Sequence, residues 1–173
     1  MMCQNMVDFL SHLPESKPEQ IELAGLLARL GKSSPVLIEA VGASHLYTDP
    51  VLLERLLLNL ARNARQAGAS TLFIDIWQAG SYAVLDIADN GKGVADDMQP
   101  FLFKAFHSGH RGGSGLGLAI VKDMAVAMGG DIKLVRSSAS GTVFRLQLPD
   151  RALGQVAPAN SPAAPLPDRP AIG

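Results

Sequence analysis

Asn59 and Asn63 stand one helical turn apart in Asp49-Pro-Val-Leu-Leu-Glu-Arg-Leu-Leu-Leu-Asn59-Leu-Ala-Arg-Asn63-Ala-Arg-Gln-Ala67-Gly68. Two side-chain amides so spaced on one polar face can present carbonyl oxygens to the same hard cation. Mg2+ takes oxygen ligands, keeps several waters and is usually shared between protein and nucleotide phosphates. An Asn carbonyl is neutral and a weak ligand, so such a site fills only when a triphosphate supplies the negative charge. Metal and nucleotide would then bind cooperatively. Taken alone, the same face reads as an ordinary solvated one.

Two further stretches suit the nucleotide itself. Asp89-Asn-Gly91-Lys-Gly93-Val94 ends a strand-like segment. A carboxylate there can accept from an exocyclic amine such as adenine N6, and glycines let a planar ligand approach the backbone. Guanine puts an acceptor at that position, a buried mismatch costing on the order of 1–3 kcal/mol. By itself the stretch is an ordinary Asp-Asn-Gly turn. The second stretch, Gly112-Gly113-Ser114-Gly115-Leu116-Gly117-Leu118, opens a helix. Free N–H groups at a helix N-terminus among small residues can hold phosphate oxygens. It is not a P-loop, because Gly117 is followed by Leu118-Ala119, and it lacks the third glycine of a Rossmann fingerprint. On its own a glycine-rich lid fits it equally. Lys104, Arg111 and Lys122, with His107 and His110 against Asp123, make the neighbourhood positive. Arg111 is the candidate phosphate contact from the loop.

These residues need elements to position them. Asp49 can cap a helix with Pro50 at its first position and Gly68 at its end. At 100° per residue Leu53, Leu56, Leu57, Leu60, Ala64 and Ala67 fall on one arc, opposite Arg55, Asn59, Arg62, Asn63 and Gln66. Before it, Leu23, Leu26, Leu27 and Leu30 predict a short helix over Ile21 to Leu30, stopped by Gly31, and Pro35 to Val41 predicts a strand. Alternation predicts strands at Thr71 to Trp77 and Tyr82 to Asp89, joined by a turn at Ala79-Gly80-Ser81. A helical piece is expected near Asp96 to Phe106, a loop over His107 to Gly115 and a helix over Leu116 to Met128. Strands follow at Ile132 to Val135 and Thr142 to Leu148, with a hairpin loop over Ser138 to Gly141. The fold class is α+β: a two-layer sandwich with a mixed, mostly antiparallel sheet on helices.

The 173 residues suit one domain, and 47% hydrophobic content suits a globular one. A net charge of −1 gives no general pull toward nucleic acid or a membrane surface. The single cysteine, Cys3, excludes an internal disulfide framework and a cysteine metal site, and points to a reducing compartment. No apolar run reaches the ~20 residues of a spanning helix, and no signal peptide is visible. Met6, Phe9, Leu10 and Leu13 read as the end of a helix whose partners lie upstream, and Pro14 to Pro18 as a linker. From 150 on, Pro, Ala and Asp predict a disordered tail.

In this order, the motifs resemble those of the catalytic, ATP-binding domain of bacterial sensor histidine kinases, in the group shared with gyrase-type ATPases. Asn59-Leu-Ala-Arg-Asn63-Ala resembles the N box, Asp89-Asn-Gly-Lys-Gly the G1 box, Leu102-Phe103-Lys-Ala-Phe106 the F box, and Gly113-Ser-Gly-Leu-Gly-Leu-Ala-Ile-Val-Lys122 the G2 box. Any one box is weak, and four in register over Ile21 to Leu148 are specific. The resemblance implies a Bergerat-type fold that binds ATP and Mg2+, with Asn63, assisted by Asn59, as metal ligand and Asp89 as adenine reader. It also implies nucleotide contacts from Arg62, Gln66, Gly91, Gly93, Phe103, Phe106, Gly113, Ser114, Gly115, Leu116 and Gly117. His107 to Gly113 would be the ATP lid.

Departures from the pattern carry information. Gyrase-type ATPases have a Glu four residues before the metal Asn; here it is Asn59, so no base is poised to activate water. Transfer to a protein nucleophile is thereby favoured over a conformational ATPase, while a non-catalytic ATP-binding module stays open. Where many of these kinases have a phosphate-reaching Lys, this chain has Gln66. His12 precedes Leu13-Pro14, which fits neither the acid nor the helix expected at a phosphoacceptor. The expected organisation is therefore a fragment: a hairpin-helix end and linker over 1–20, a catalytic domain over 21–149 and a tail over 150–173. Its partners would be the dimerisation domain of the same parent and a response regulator, in the cytoplasm, with no nucleic acid and no direct membrane contact by this chain, and a membrane-anchored parent stays open.

Overall fold

The computed structural model describes residues 15–104 and 117–150. The expectations for Met1 to Leu13, for the tail, and for Phe106, Arg111, Gly113, Ser114, Gly115 and Leu116 concern residues outside the described ones.

Among those described, the order is β1 (Glu19–Glu22), α1 (Leu23–Ser33), β2 (Leu37–Gly42), β3 (His45–Thr48), α2 (Pro50–Gln66), β4 (Thr71–Ala79), β5 (Tyr82–Asp89), α3 (Gly117–Ala127), β6 (Asp131–Ser138) and β7 (Gly141–Pro149). Five strands form one sheet in the order β2-β4-β5-β7-β6, and β1 pairs with β3 in a separate two-stranded ribbon. The β2–β4 pair is parallel and the other sheet pairs are antiparallel, the mixed, mostly antiparallel sheet expected.

Side-chain alternation gives the sheet two unlike faces. Leu72, Ile74, Ile76, Ala83, Leu85, Ile87, Ile132, Phe144, Leu146 and Leu148 join the leucines of α1 and α2 and Val121, Met124 and Ala125 of α3 in one core. The other face carries Asp75, Asp86 and Arg145, all buried, with Arg145 Nε and Nη2 donating to Asp86 Oδ1 and Oδ2 at 2.6 and 2.7 Å.

Four local expectations are corrected. Gly31 does not stop α1: it is not among the glycines at positive φ, and the helix runs to Ser33, where Ser34 turns extended and its N–H donates to the Leu30 carbonyl at 2.8 Å. The ribbon strands β1 and β3 have only four residues each, too few for a periodic signal. Over Asp96 to Lys104 there is only a 3-10 turn at Gln99–Phe101, because Pro100 has no N–H to continue a helix. The strand expected at Ile132 to Val135 runs over eight residues, through a register shift between Leu134 and Arg136.

Candidate functional site

Helix α2 positions the two asparagines. The Asp49 Oδ1 accepts from the N–H of Val51 and Leu52 at 2.9 and 3.0 Å, so the cap is made as the sequence predicts. Leu52, Leu53, Leu56, Leu57, Leu60, Ala61 and Ala64 are buried, at about 1.5–3 kcal/mol for each leucine, which fixes the helix's rotation. At the far end Gly68, with φ +81°, donates to the Arg65 carbonyl and turns the chain into β4. Arg55, Arg62 and Gln66 are left exposed, and Asn59 and Asn63 half-buried.

The two amides differ in their attachments. Asn59 Nδ2 donates to the Arg55 carbonyl at 2.9 Å, which commits its donor end to the helix and leaves Oδ1 as the end available to a cation. The Asn63 side chain has no hydrogen-bond partner among the described residues. Positions four apart on a helix have Cβ atoms about 5–6 Å apart, near enough for both carbonyls to serve one ion or its waters. No group of three His, Cys, Asp or Glu that could hold a metal is found among the described residues. A neutral amide donor set suits a cation that takes its charge balance from phosphate oxygens.

Asp89 ends β5 beside the turn that follows. Burial pushes its carboxyl pKa above the ordinary aspartate value, and the main-chain N–H groups of Gly91 and Thr142 offset only part of that. Gly91 N donates to Asp89 Oδ1 at 2.8 Å. A partly desolvated carboxylate of this kind gains from a ligand that brings an N–H of its own.

The glycines of the turn serve the protein before any ligand. A Cβ at Gly91 would lie 2.9 Å from both the Cβ and the carbonyl oxygen of Ala67, and Lys92 N donates to that oxygen at 3.0 Å. At Gly93, φ is +77° and a Cβ would lie 2.1 Å from the Ser138 carbonyl, while Val94 N donates to Ser137 Oγ at 2.7 Å. The turn is thus wedged between the end of α2 and the β6–β7 hairpin. That wedge brings Asp89 to the helix bearing Asn63. The expectation that these glycines clear space for a planar ligand is corrected to this extent: the space belongs to Ala67 and Ser138.

Gly117 is the first residue of α3, a Cβ there would meet nothing within 4 Å among the described residues, and the first N–H groups of any helix lack intrahelical partners. Phe103 packs edge-on against Phe144 with centroids 5.9 Å apart, and Lys122 Nζ lies 5.6 Å from its ring centroid. Lys122 also pairs with Asp131 and donates to the Ile132 carbonyl at 3.3 Å, so its charge is engaged within the protein rather than held for a triphosphate. Lys104 likewise sits over the Phe101 ring at 5.0 Å.

One site-building residue escapes the sequence. Asn90 Oδ1 accepts from Ser70 N and Thr71 N at 2.9 and 3.1 Å, and its Nδ2 donates to Ser70 Oγ at 3.0 Å. It stitches the Asp89 turn to the start of β4, and nothing local marks a partner 20 residues away.

With this geometry in place, three comparisons are informative. Residues 48–152 match the family model described as histidine kinase-, DNA gyrase B-, and HSP90-like ATPase, a span holding Asn59, Asn63, Asp89, Gly91 and Gly117. The chain is 33% identical over 117 residues to the signal transduction histidine-protein kinase AfsQ2 of Streptomyces coelicolor, covering 65% of this chain and 22% of that protein. It is 36% identical over 107 residues to the sensor protein RstB of Escherichia coli, covering 58% of this chain and 25% of that protein. Among solved structures, full-length ShkA in complex with AMPPNP superposes with a TM-score of 0.68 at 27% identity, covering 82% of this chain and 33% of that one. The chain spans at most about a quarter of the two curated relatives. The matched span, the α+β sandwich and the sensor-kinase relatives agree: this chain belongs to the histidine kinase-, DNA gyrase B- and HSP90-like ATPase family, as an ATP-binding domain of the sensor histidine kinase type.

Proposed function

We propose that this domain binds Mg·ATP and transfers its γ-phosphoryl group to a histidine on the dimerisation hairpin of the same parent protein. The observation that carries the proposal is the wedge at Gly91, which sets the turn after Asp89 against the end of the helix whose Asn63 amide has no partner among the described residues. Asp89 would accept from adenine N6, and Asn63, helped by the outward Oδ1 of Asn59, would hold Mg2+. The ion, when bound, would neutralise charge between the phosphates. Phe103 would back the nucleotide from its seat on Phe144, and the α3 N-terminus at Gly117 would face phosphate oxygens. Arg62 and Gln66 extend from the same exposed helix face, and Gly113, Ser114, Gly115 and Leu116, with Arg111 and Phe106, would complete the pocket.

In the transfer, a ring nitrogen of the histidine attacks the γ-phosphorus, the bond from that phosphorus to the β–γ bridging oxygen breaks, and ADP leaves with the electron pair. Asn59 cannot take a proton from water, which supports transfer over hydrolysis. We place the domain in the cytoplasm, where ATP is, with a response regulator as the later phosphoryl acceptor. Among the described residues no helix is long and apolar enough to cross a membrane. The boundaries we propose are a linker and helix end over 1–20, the catalytic domain over 21–149 and a tail over 150–173.

The test supplies the parent's hairpin domain in trans with γ-labelled ATP. The expected result is acid-labile label on the hairpin histidine. An unlabelled hairpin, with the full-length parent active under the same conditions, would contradict the proposal, as would steady phosphate release by the domain alone.

A further inference from the structure

Asp49 does more than cap α2. Its Oδ1 takes the two N–H bonds of the cap, and its Oδ2 accepts from the main-chain N–H of Lys17 at 2.7 Å. The carboxylate is buried, at 6% exposure, and this is the one hydrogen bond that residues 15–18 make to the described residues. Ahead of β1, which is held in its ladder with β3 from Glu19 on, the segment entering the domain is therefore tied by one hydrogen bond at the Asp49 peg, the first fixed point of the helix bearing Asn59 and Asn63.

What surrounds the peg makes the tie adjustable. A cavity of about 240 Å³ lies beside it, lined by Ser16 and Pro18 of the entering segment, by Tyr47 to Asp49, by Ala127 at the end of α3 with Met128 and Gly129 just after it, and by Pro149. Thr48 Oγ1 donates to Met128 Sδ at 3.5 Å across the same junction. Between the peg and β1, which pairs with β3 from Glu19 on, the entering segment borders this space rather than a packed wall. The helix opened by Gly117 and the helix carrying the asparagines both come to this junction with the ends remote from the proposed nucleotide contacts. A helix rises 1.5 Å per residue, so Asn63 stands about 21 Å along α2 from Asp49.

The geometry points to Asp49 as a positioning residue through which the entering segment sets the Mg·ATP site. With the Lys17 tie made, α2 is held where Asn63 meets the metal; with it broken, the helix relaxes and the metal-dependent part of nucleotide binding weakens. This rests on the assignment of Asn63 to the metal under the proposed function. Coupling between distant sites is commonly worth 5–150-fold in affinity, and a single hydrogen bond belongs at the lower end, about 5–10-fold.

The cap and the tie can be separated by substitution. Asn or Ser at position 49 keeps an oxygen for the Val51 and Leu52 amides, but neither supplies the second carboxylate oxygen that Lys17 uses. Lys17→Pro removes the donor and leaves Asp49 untouched. ATP affinity is measured by calorimetry on the full chain with and without Mg2+, alongside thermal unfolding. The expected result is that D49N, D49S and K17P each weaken binding about 5–10-fold with Mg2+ and little without it, at a melting temperature near that of the parent. In an N63A background the same substitutions should change nothing further. If D49S, D49N and K17P bind Mg·ATP like the parent and only D49A loses stability, Asp49 is a helix cap and the coupling is refuted. Should D49N and D49S unfold, K17P alone decides. Failure of the parent chain to bind ATP, or of N63A to abolish the Mg2+ gain, would instead overturn the site assignment beneath.

Discussion

The main-chain N–H of Gly91 donates to Asp89 Oδ1 at 2.8 Å, so the turn that follows β5 orients the carboxylate that ends it. Under the proposed function, the bond ties recognition of the base to the packing of the turn. Burial still outweighs it, leaving Asp89 with a pKa above the ordinary aspartate value.

A pH dependence follows from that direction. The native domain keeps the Asp89 proton to a higher pH than the unfolded chain does, so it binds more protons across the interval between the ordinary and the raised value. Stability therefore falls as pH rises through that interval, the reverse of a salt-bridged aspartate. Accepting from adenine needs the ionised form, so ATP affinity should fall as pH drops through the raised value. Calorimetric titration over mildly acidic pH checks this, and D89N should bind weakly at every pH with the dependence flattened.

Two glycines separate backbone strain from packing. Gly68 and Gly93 both have positive φ, but a Cβ at Gly68 meets nothing within 4 Å whereas one at Gly93 meets the Ser138 carbonyl at 2.1 Å. Gly68→Ala should cost about 1–2 kcal/mol from the left-handed backbone alone. Gly93→Ala should cost more and also weaken ATP binding, because relieving the clash moves the turn. Urea unfolding with nucleotide titration measures both.

The bidentate Arg145–Asp86 pair lies on the face of the sheet opposite the one that α2 and α3 cover. Asp86→Ala leaves a guanidinium buried without that partner and should destabilise by about 3–5 kcal/mol. Replacing both with Leu should recover much of the loss. ATP affinity of the folded variants should match the parent, as calorimetry at low temperature would report.

The main frame was legible where local physics is strong. Asp49-Pro50 fixed the start of α2, the leucine arc its inner face, and Gly80 and the Ser138–Gly141 loop the two hairpins. Where a signal depends on distant partners, it was not legible. β1 and β3 are too short to carry a period, and Gly31 accepts helical backbone because nothing nearby demands positive φ. Asn90 looks like a turn former until its bonds to Ser70 and Thr71 are seen. Lys122 looked available to phosphate until Asp131 and Phe103 claimed it. Asn59, Asn63 and Asp89 stand out by residue type and spacing, and the resemblance to the kinase boxes implies their roles; the fold sets Asp89's turn against the helix of the two asparagines because Gly91 is small enough to sit on Ala67.

The central claim is that Asn63 and Asp89 form one Mg·ATP site with separate duties. Calorimetric ATP binding with and without Mg2+, for the parent, N63A and D89N, tests it most directly. The account predicts that Mg2+ tightens binding in the parent, that N63A loses this gain and keeps metal-free affinity, and that D89N weakens binding with or without metal. Equal response of N63A and the parent to Mg2+, or unchanged affinity in D89N, would contradict it.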